Sequence, residues 1–341
     1  MQNDSQLGFG IAGTGVIAAI VADAIAASKN ARLAAVSSRQ IETARSFVAQ
    51  RPGVAAVEGI EDLLRQPEVD AVYVATPTAT KVEIALAAIA AGKHVLFDKP
   101  FPSHACAVRV AAAAAERGVL LMDATHFVHH PRTAAIKAAC PEQIGRPQFL
   151  HTALYVSITD HNNIRYDVNR EPMGALGDLA WYSMRAIVEF LHPEGPITKA
   201  AAVLDRDPKT NSVVRAAGLL AFEGGEVSTF DIGFTVGTLF MDFELMGTIG
   251  IIGMDDFVLD WTNSSHFKNP DIKTGYFHRT GMATRKDVTF IETPSEMTPE
   301  VLMIESFADL ANSGDATQRG EPAVASLKTQ EYLDAVWNAA V

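Results

Sequence analysis

Residues 7–18 read Leu7-Gly8-Phe9-Gly10-Ile11-Ala12-Gly13-Thr14-Gly15-Val16-Ile17-Ala18, and an alanine-rich apolar run continues to about Ala27. The first half is a short apolar segment ended by glycine, which reads as a buried strand; the longer run after the turn reads as a helix. The turn has the spacing G-x-G-x-x-A at Gly13, Gly15 and Ala18. Between a strand and a helix, that spacing is a dinucleotide fingerprint. The first glycine permits the tight turn. The second lets backbone N–H groups approach a pyrophosphate at the positive helix end, and the small third residue lets helix and strand pack closely. Gly13, Thr14, Gly15, Val16 and Ile17 are therefore the expected cofactor contacts of this turn.

A second strand, Arg32–Val36, closes the unit and runs into Ser37-Ser38-Arg39-Gln40. No carboxylate stands there to hold the ribose 2′-OH of NAD. Ser38 can hydrogen-bond and Arg39 can pair with a 2′-phosphate, so NADP(H) is expected over NAD(H). Val69–Thr76 reads as a third buried strand ending in Thr76-Pro77-Thr78, followed by a helix over about Lys81–Ala91. Gly92 suits the residue after that helix, and Val95–Phe97 is again a short buried strand, leading to Asp98-Lys99-Pro100. In an open parallel sheet ligands collect at the carboxyl ends of strands. Thr76, Pro77, Thr78, Asp98 and Lys99 thus join the expected cofactor contacts. Lys99, held extended by the proline after it, is the first candidate catalytic residue. A helix over about His104–Arg117 and a strand Val119–Ala124 complete an alternation that implies a doubly wound parallel sheet.

The histidines of His126-Phe127-Val128-His129-His130-Pro131 could not all point at one ion from a strand or turn, and no carboxylate cluster accompanies them, so no metal is expected. His126, nearest the strand end, is a candidate for the substrate pocket. His129 and His130 read as packing and capping residues at a domain junction. The chain is expected to divide into a dinucleotide-binding domain, 1–128, and an α+β domain, 129–341, whose C-terminal helix can pack back on the first.

In the second part, Pro147–Ser157 reads as a strand and Ile158–Met173 as a polar loop with Asn162, Asn163 and Arg165. Gly174-Ala175-Leu176-Gly177 then opens a helix in which Asp178 and Tyr182, at i and i+4, share a face. Five further strands follow, within Ala200–Met254, with alternating faces and glycine turns, as in Phe230, Ile232 and Phe234 against Asp231 and Gly233. That pattern means an open, mostly antiparallel sheet with one free face, a natural contact for a homodimer or homotetramer. Thr262–Lys286 reads as a polar loop, and two amphipathic helices, about Pro299–Ala311 and Ala323–Ala340, close the chain.

Composition narrows the field. With 341 residues, 48% hydrophobic and 20% charged, the chain is folded and long enough for two cores. A net charge of −12 disfavours nucleic acid and anionic membrane surfaces as partners. Only Cys106 and Cys140 are present, Met1–Gln6 is polar without a basic leader, and no apolar run spans a bilayer; a cytoplasmic setting is expected.

The fingerprint, the strand-end Asp98-Lys99-Pro100 and the helix motif Asp178-Leu179-Ala180-Trp181-Tyr182, in that order and over essentially the whole chain, resemble the Gfo/Idh/MocA oxidoreductase family. Members carry Glu-Lys-Pro where this chain has Asp98-Lys99-Pro100, and Asp-x-x-x-His where it has Asp178 to Tyr182. The tyrosine is similar to the branch with glucose–fructose oxidoreductase and dimeric dihydrodiol dehydrogenase. Met122-Asp123-Ala124-Thr125 and His130-Pro131-Arg132-Thr133 look closer still to uncharacterised plant-type members. The resemblance implies hydride transfer between NADP(H) and a C–OH or C=O of a sugar, polyol or related small carbonyl compound. Tyr182 would be the proton donor or acceptor, Lys99 the polarising cation, and Asp178 the group that orients a substrate hydroxyl or keeps Lys99 charged. His126, Asn162, Asn163 and Arg165 would be substrate ligands. Two other functions are compatible with a dinucleotide fold: a non-catalytic NADP(H) sensor, disfavoured by Lys99, Asp178 and Tyr182 occurring together, and an NAD-dependent glycosidase with a transient hydride cycle, disfavoured by Ser38-Arg39.

Overall fold

A computed structural model describes residues 6–284 and 286–340; Met1–Ser5, Arg285 within the segment read as a loop, and Val341 lie outside the described residues. Spatial proximity divides the chain into two units. One runs through Thr125 and includes Glu300–Leu327; the other takes His126–Pro299 and the chain from Lys328 onward. The sequence reading divides the chain at 128/129 and allows the C-terminal helix to pack back on the first domain; the observed grouping divides it after Thr125 and places Glu300–Leu327 in the first unit.

The first unit alternates β1 (Leu7–Ala12), α1 (Val16–Ala27), β2 (Ala31–Ser38), α2 (Ile41–Val48), β3 (Ala55–Glu58), α3 (Gly59–Leu64), β4 (Ala71–Val74), α4 (Lys81–Ala90), β5 (His94–Phe97), α5 (His104–Arg117) and β6 (Leu121–Asp123). The strands form one parallel sheet in the order β3-β2-β1-β4-β5-β6. The chain winds outward from β1 to β3, then returns to β4, so the order reverses between β1 and β4. Phe9, Ile11, Val36, Val72, Val74, Val95 and Phe97 are wholly buried, as strands covered on both faces require. The edge strand β3 is absent from the sequence reading because its four residues, Ala-Ala-Val-Glu, are half-exposed and carry no buried run. The segment from Glu300 is tied down by Phe307, 5.3 Å from Phe9 between ring centroids, by Glu305 on Lys29, and by Ser326, whose hydroxyl donates to Asp123 at 2.5 Å.

The second unit begins with α6 (Pro131–Gln143) and β7 (Pro147–Tyr155) and continues to α7, residues 176–191. The strands β8 (Ile197–Arg206), β9 (Val213–Phe222), β10 (Val227–Gly233), β11 (Phe240–Gly247), β12 (Gly250–Met254), β13 (Gly275–Thr280) and β14 (Thr289–Glu292) follow. They make an eight-stranded sheet, β14-β13-β12-β11-β7-β10-β9-β8. Only β7 and β10 run parallel; the other neighbours are antiparallel. Leu150, Thr152, Leu154, Phe230, Ile232, Met241, Phe243 and Leu245 line the buried face, and His151, Tyr155, Thr229, Asp231, Asp242 and Glu244 the half-exposed one. One expectation is corrected. Thr262–Lys286 is not all loop: it contains β13, whose His278 and Arg279 hide the strand pattern around the buried Tyr276. The stretch Pro131–Gln143, to which the sequence reading assigns no element, is a helix with His130, read as a capping residue, as its cap and Pro131 at its first turn.

That cap belongs to a buried polar network. His130 Nδ1 accepts from the Arg132 N–H at 3.0 Å, so its proton sits on Nε2, which faces Asp260 Oδ2 at 3.2 Å. Burial favours the neutral imidazole and holds His130 below the usual histidine range. Burial pushes the Asp260 carboxyl up, but hydrogen bonds from His130, Thr274 and the Thr262 N–H outweigh it and bring it to about 2. His94 and His192 are also lowered, again chiefly by burial. The unfolded chain therefore takes up protons on these histidines at a higher pH than the folded chain does. Stability conferred by their neutral forms is present above the ordinary histidine pKa and lost as pH falls below it, by up to about 1.4 kcal/mol per pH unit for each. Urea midpoints are expected to drop between pH 7.5 and pH 5.5, and less steeply in His130→Gln; an equal slope in that variant removes His130 from this dependence.

Candidate active site

The level register of the parallel sheet brings the candidate residues of the first unit together. Ala12 pairs with Ser37 and with Val74, Val74 with Phe97, and Phe97 with Asp123. The strands end at one height, so the fingerprint turn, Ser38-Arg39, Thr76-Pro77-Thr78 and Asp98-Lys99 all leave the same edge of one sheet, on both sides of the β1/β4 reversal. Gly13 has φ +118°, and a Cβ there would stand 2.6 Å from the Ala75 carbonyl oxygen. Gly15 is different: a Cβ there would meet nothing within 4 Å.

Gly15 also caps α1 without any side-chain hydrogen bond, and Val16, the first helical residue, is 80% exposed. The helix start thus presents open backbone N–H groups beside an open cradle, which is what an anionic diphosphate requires. Ala18 is fully buried. Ser38 is half-buried and Arg39 is exposed, and Arg39 has no ion-pair partner among the described residues. The buried Thr76 hydroxyl has no hydrogen-bond partner among the described residues either, a group that a ligand at this edge would satisfy. These features fit a dinucleotide, and Arg39 is an exposed cation just past the end of β2.

Lys99 is half-buried, two residues past β5, and the Lys99–Pro100 peptide is cis. Its carbonyl accepts from Lys81 Nζ at 2.8 Å, and the same ammonium lies 3.5 Å from Asp98 Oδ2. The sequence reading has Lys81 as the start of a helix and not as a site residue. The available signal is a lysine at the first residue of a helix, where the macrodipole disfavours a cation.

In the second unit, α7 is buried on nearly every side; from Met173 to Leu191 only Asp178, Tyr182 and Val188 are more than marginally accessible. It is π-wound over Leu176–Ala180 and Ile187–Leu191, with a regular turn Trp181–Ala186 between. Such windings recur at functional sites. Asp178 receives Arg165 Nε at 2.5 Å, and Nη2 approaches its other oxygen at 3.4 Å. Arg165 is consequently raised further as a cation, first by the Asp178 charge and, more weakly, by Tyr182. The Tyr182 ring lies 5.8 Å from His126 and 6.4 Å from Phe127. Asp178, Tyr182, Arg165 and His126 are therefore one cluster. Asn163 is adjacent but uses its side-chain oxygen to cap Arg165 N–H at 3.1 Å, and the exposed Asn162 turns to Asp160 at 3.0 Å.

A family profile described as "Oxidoreductase family, NAD-binding Rossmann fold" matches residues 7–125. Over 255 residues the chain is 32% identical to dTDP-3,4-didehydro-2,6-dideoxy-alpha-D-glucose 3-reductase of Streptomyces antibioticus, covering 73% of this chain and 76% of that one. It is 29% identical over 201 residues to 1,5-anhydro-D-fructose reductase of Ensifer adhaerens, covering 57% and 60%. Among solved structures it superposes on KijD10, a 3-ketoreductase from Actinomadura kijaniata in complex with NADP and TDP-benzene, with a TM-score of 0.85, 27% identity and 98% coverage of both chains. Variants of that enzyme with a lysine changed to alanine and with a tyrosine changed to phenylalanine have been solved with the same ligands. No helix among the described residues is long and apolar enough to cross a membrane.

Proposed function

The chain belongs to the Gfo/Idh/MocA family of Rossmann-fold oxidoreductases, and from that premise we propose that it is an NADP(H)-dependent ketoreductase acting on a sugar, first of all one carried on a nucleoside diphosphate. The observation that carries this reading is the level carboxyl edge, which leaves the uncapped α1 start, Arg39 and Lys99 at one end of one sheet. Gly13, Thr14, Gly15, Val16 and Ile17 hold the diphosphate; Ser38 and Arg39 hold the 2′-phosphate; Thr76, Pro77, Thr78 and Asp98 border the rest of the cofactor. NADPH, when bound, supplies the hydride.

The chain's own residues supply charge and protons. Lys99 presents an ammonium to the substrate oxygen and stabilises the negative charge that grows on it. Tyr182 donates the proton that makes the oxygen a hydroxyl, or removes it in the reverse direction. Asp178 keeps Arg165 in place and orients a substrate hydroxyl; His126, Asn162, Asn163 and Arg165 contact the sugar. The half-exposed sheet face, with Tyr155 and Phe240 6.5 Å apart on it, is the proposed contact between subunits of a homo-oligomer.

The test follows NADPH consumption with a dTDP-linked 3-keto sugar and with 1,5-anhydro-D-fructose, against NADH in parallel. Turnover with NADPH is expected with at least one of them. A charged hydrogen bond contributes about 1.5–3 kcal/mol. Arg39→Ser is therefore expected to weaken NADPH binding by about 10–100-fold and leave NADH binding unchanged. Equal loss for both cofactors would remove Arg39 from the 2′-phosphate.

A further inference from the structure

We propose that Lys81 is a positioning residue for Lys99; the inference rests on the catalytic role given to Lys99 above. Lys81 is 2% exposed and opens α4. Its ammonium donates to the Lys99 carbonyl at 2.8 Å and to Thr78 Oγ1 at 3.4 Å, and pairs with Asp98 Oδ2 at 3.5 Å. A buried ammonium is costly unless its hydrogens are met by oxygens. The positive end of its own helix adds to that cost. Lys81 is stable here because three oxygens converge on it, and they come from two different strand ends: Thr78 after β4, Asp98 and Lys99 after β5.

That convergence has a consequence for the reaction. One charge grips the peptide of Lys99 and the carboxylate beside it, and ties both to the turn after β4. Lys81 does not itself reach substrate; it sets where the Lys99 side chain starts. Catalysis by a charged group depends steeply on placement, and an error of about 1 Å costs on the order of 10²-fold. Methionine at position 81 would keep the length of the side chain and lose every donor.

Lys81→Met is expected to lower kcat by about 100-fold on whichever of the two sugars above is turned over, with the Kd for NADPH, read from its fluorescence, within about threefold of the parent. Amide exchange in the free protein is expected to rise about tenfold in the segment 98–103 and to stay unchanged in β1 and β2. Lys81→Arg, which keeps the charge and donors, should recover at least about tenfold in kcat. A kcat within about threefold of the parent overturns the proposal. So does a loss matched by an equal rise in the NADPH Kd, or a Lys81→Arg variant no better than Lys81→Met. If Lys81→Met does not fold, Lys81→Gln replaces it under the same criteria. Lys99→Met is run alongside: parental turnover there overturns the catalytic reading of Lys99, whereas its loss with normal turnover in Lys81→Met overturns only the positioning role.

Discussion

Tyr182→Phe is expected to lower kcat by about 10²–10⁴-fold, the range that a positioned proton donor contributes, while leaving the affinity for NADPH unchanged. The substitution isolates the hydroxyl. The ring is held by His126 at 5.8 Å and Phe127 at 6.4 Å, contacts that phenylalanine makes equally well. The helix beneath is anchored by buried Trp181, Ser183 and Met184, so the backbone has no reason to move. A kcat within tenfold of the parent would dismiss Tyr182 as the donor and turn attention to His126, the nearest ring with an exchangeable proton. Raised KM with unchanged kcat would instead mean that the hydroxyl binds substrate without sharing in the chemistry.

The second large effect concerns stability. Arg132 and Asp256 are a buried ion pair: a guanidinium nitrogen donates to the carboxylate, a second reaches the Asp256 carbonyl at 2.8 Å, and the Gly275 carbonyl accepts at 3.2 Å. Burial holds the Asp256 carboxyl above the usual carboxylate range, and the Arg132 charge offsets only part of that rise. With both partners present the net contribution of such a pair is small, because desolvation offsets attraction. With one removed, the other charge is stranded. Asp256→Ala is expected to cost about 3–5 kcal/mol in urea unfolding. The double variant Arg132→Met, Asp256→Leu should be far closer to the parent than Asp256→Ala is. If Asp256→Ala costs less than about 1 kcal/mol, water reaches Arg132 and the pair is not truly buried.

Legibility differed between the two halves for reasons that particular residues show. The parallel sheet was readable because its strands are buried on both faces and its helices lie between them, so short apolar runs such as Ala71–Val74 stand out against their surroundings. The short edge strand β3 and the strand β13 were not, since half-exposed strands carry mixed residues. Lys99 and Tyr182 were selected by pattern alone. Lys81 was not, because a lysine looks the same in sequence whether it is solvated or buried under three oxygens.

What the sequence by itself determined is local: the glycine turn at Gly13 and Gly15, the absence of a carboxylate after β2, the alternation of faces in the second sheet. Each depends on steric or hydrophobic rules that act over a few residues. What only the tertiary structure decided is pairing across the chain. Arg165 takes Asp178, His130 takes Asp260, Arg132 takes Asp256, and Lys81 takes Lys99. Partners of a buried charge are chosen by which strand ends and helix starts the fold brings within about 3 Å, and that distance is written nowhere in the spacing of residues.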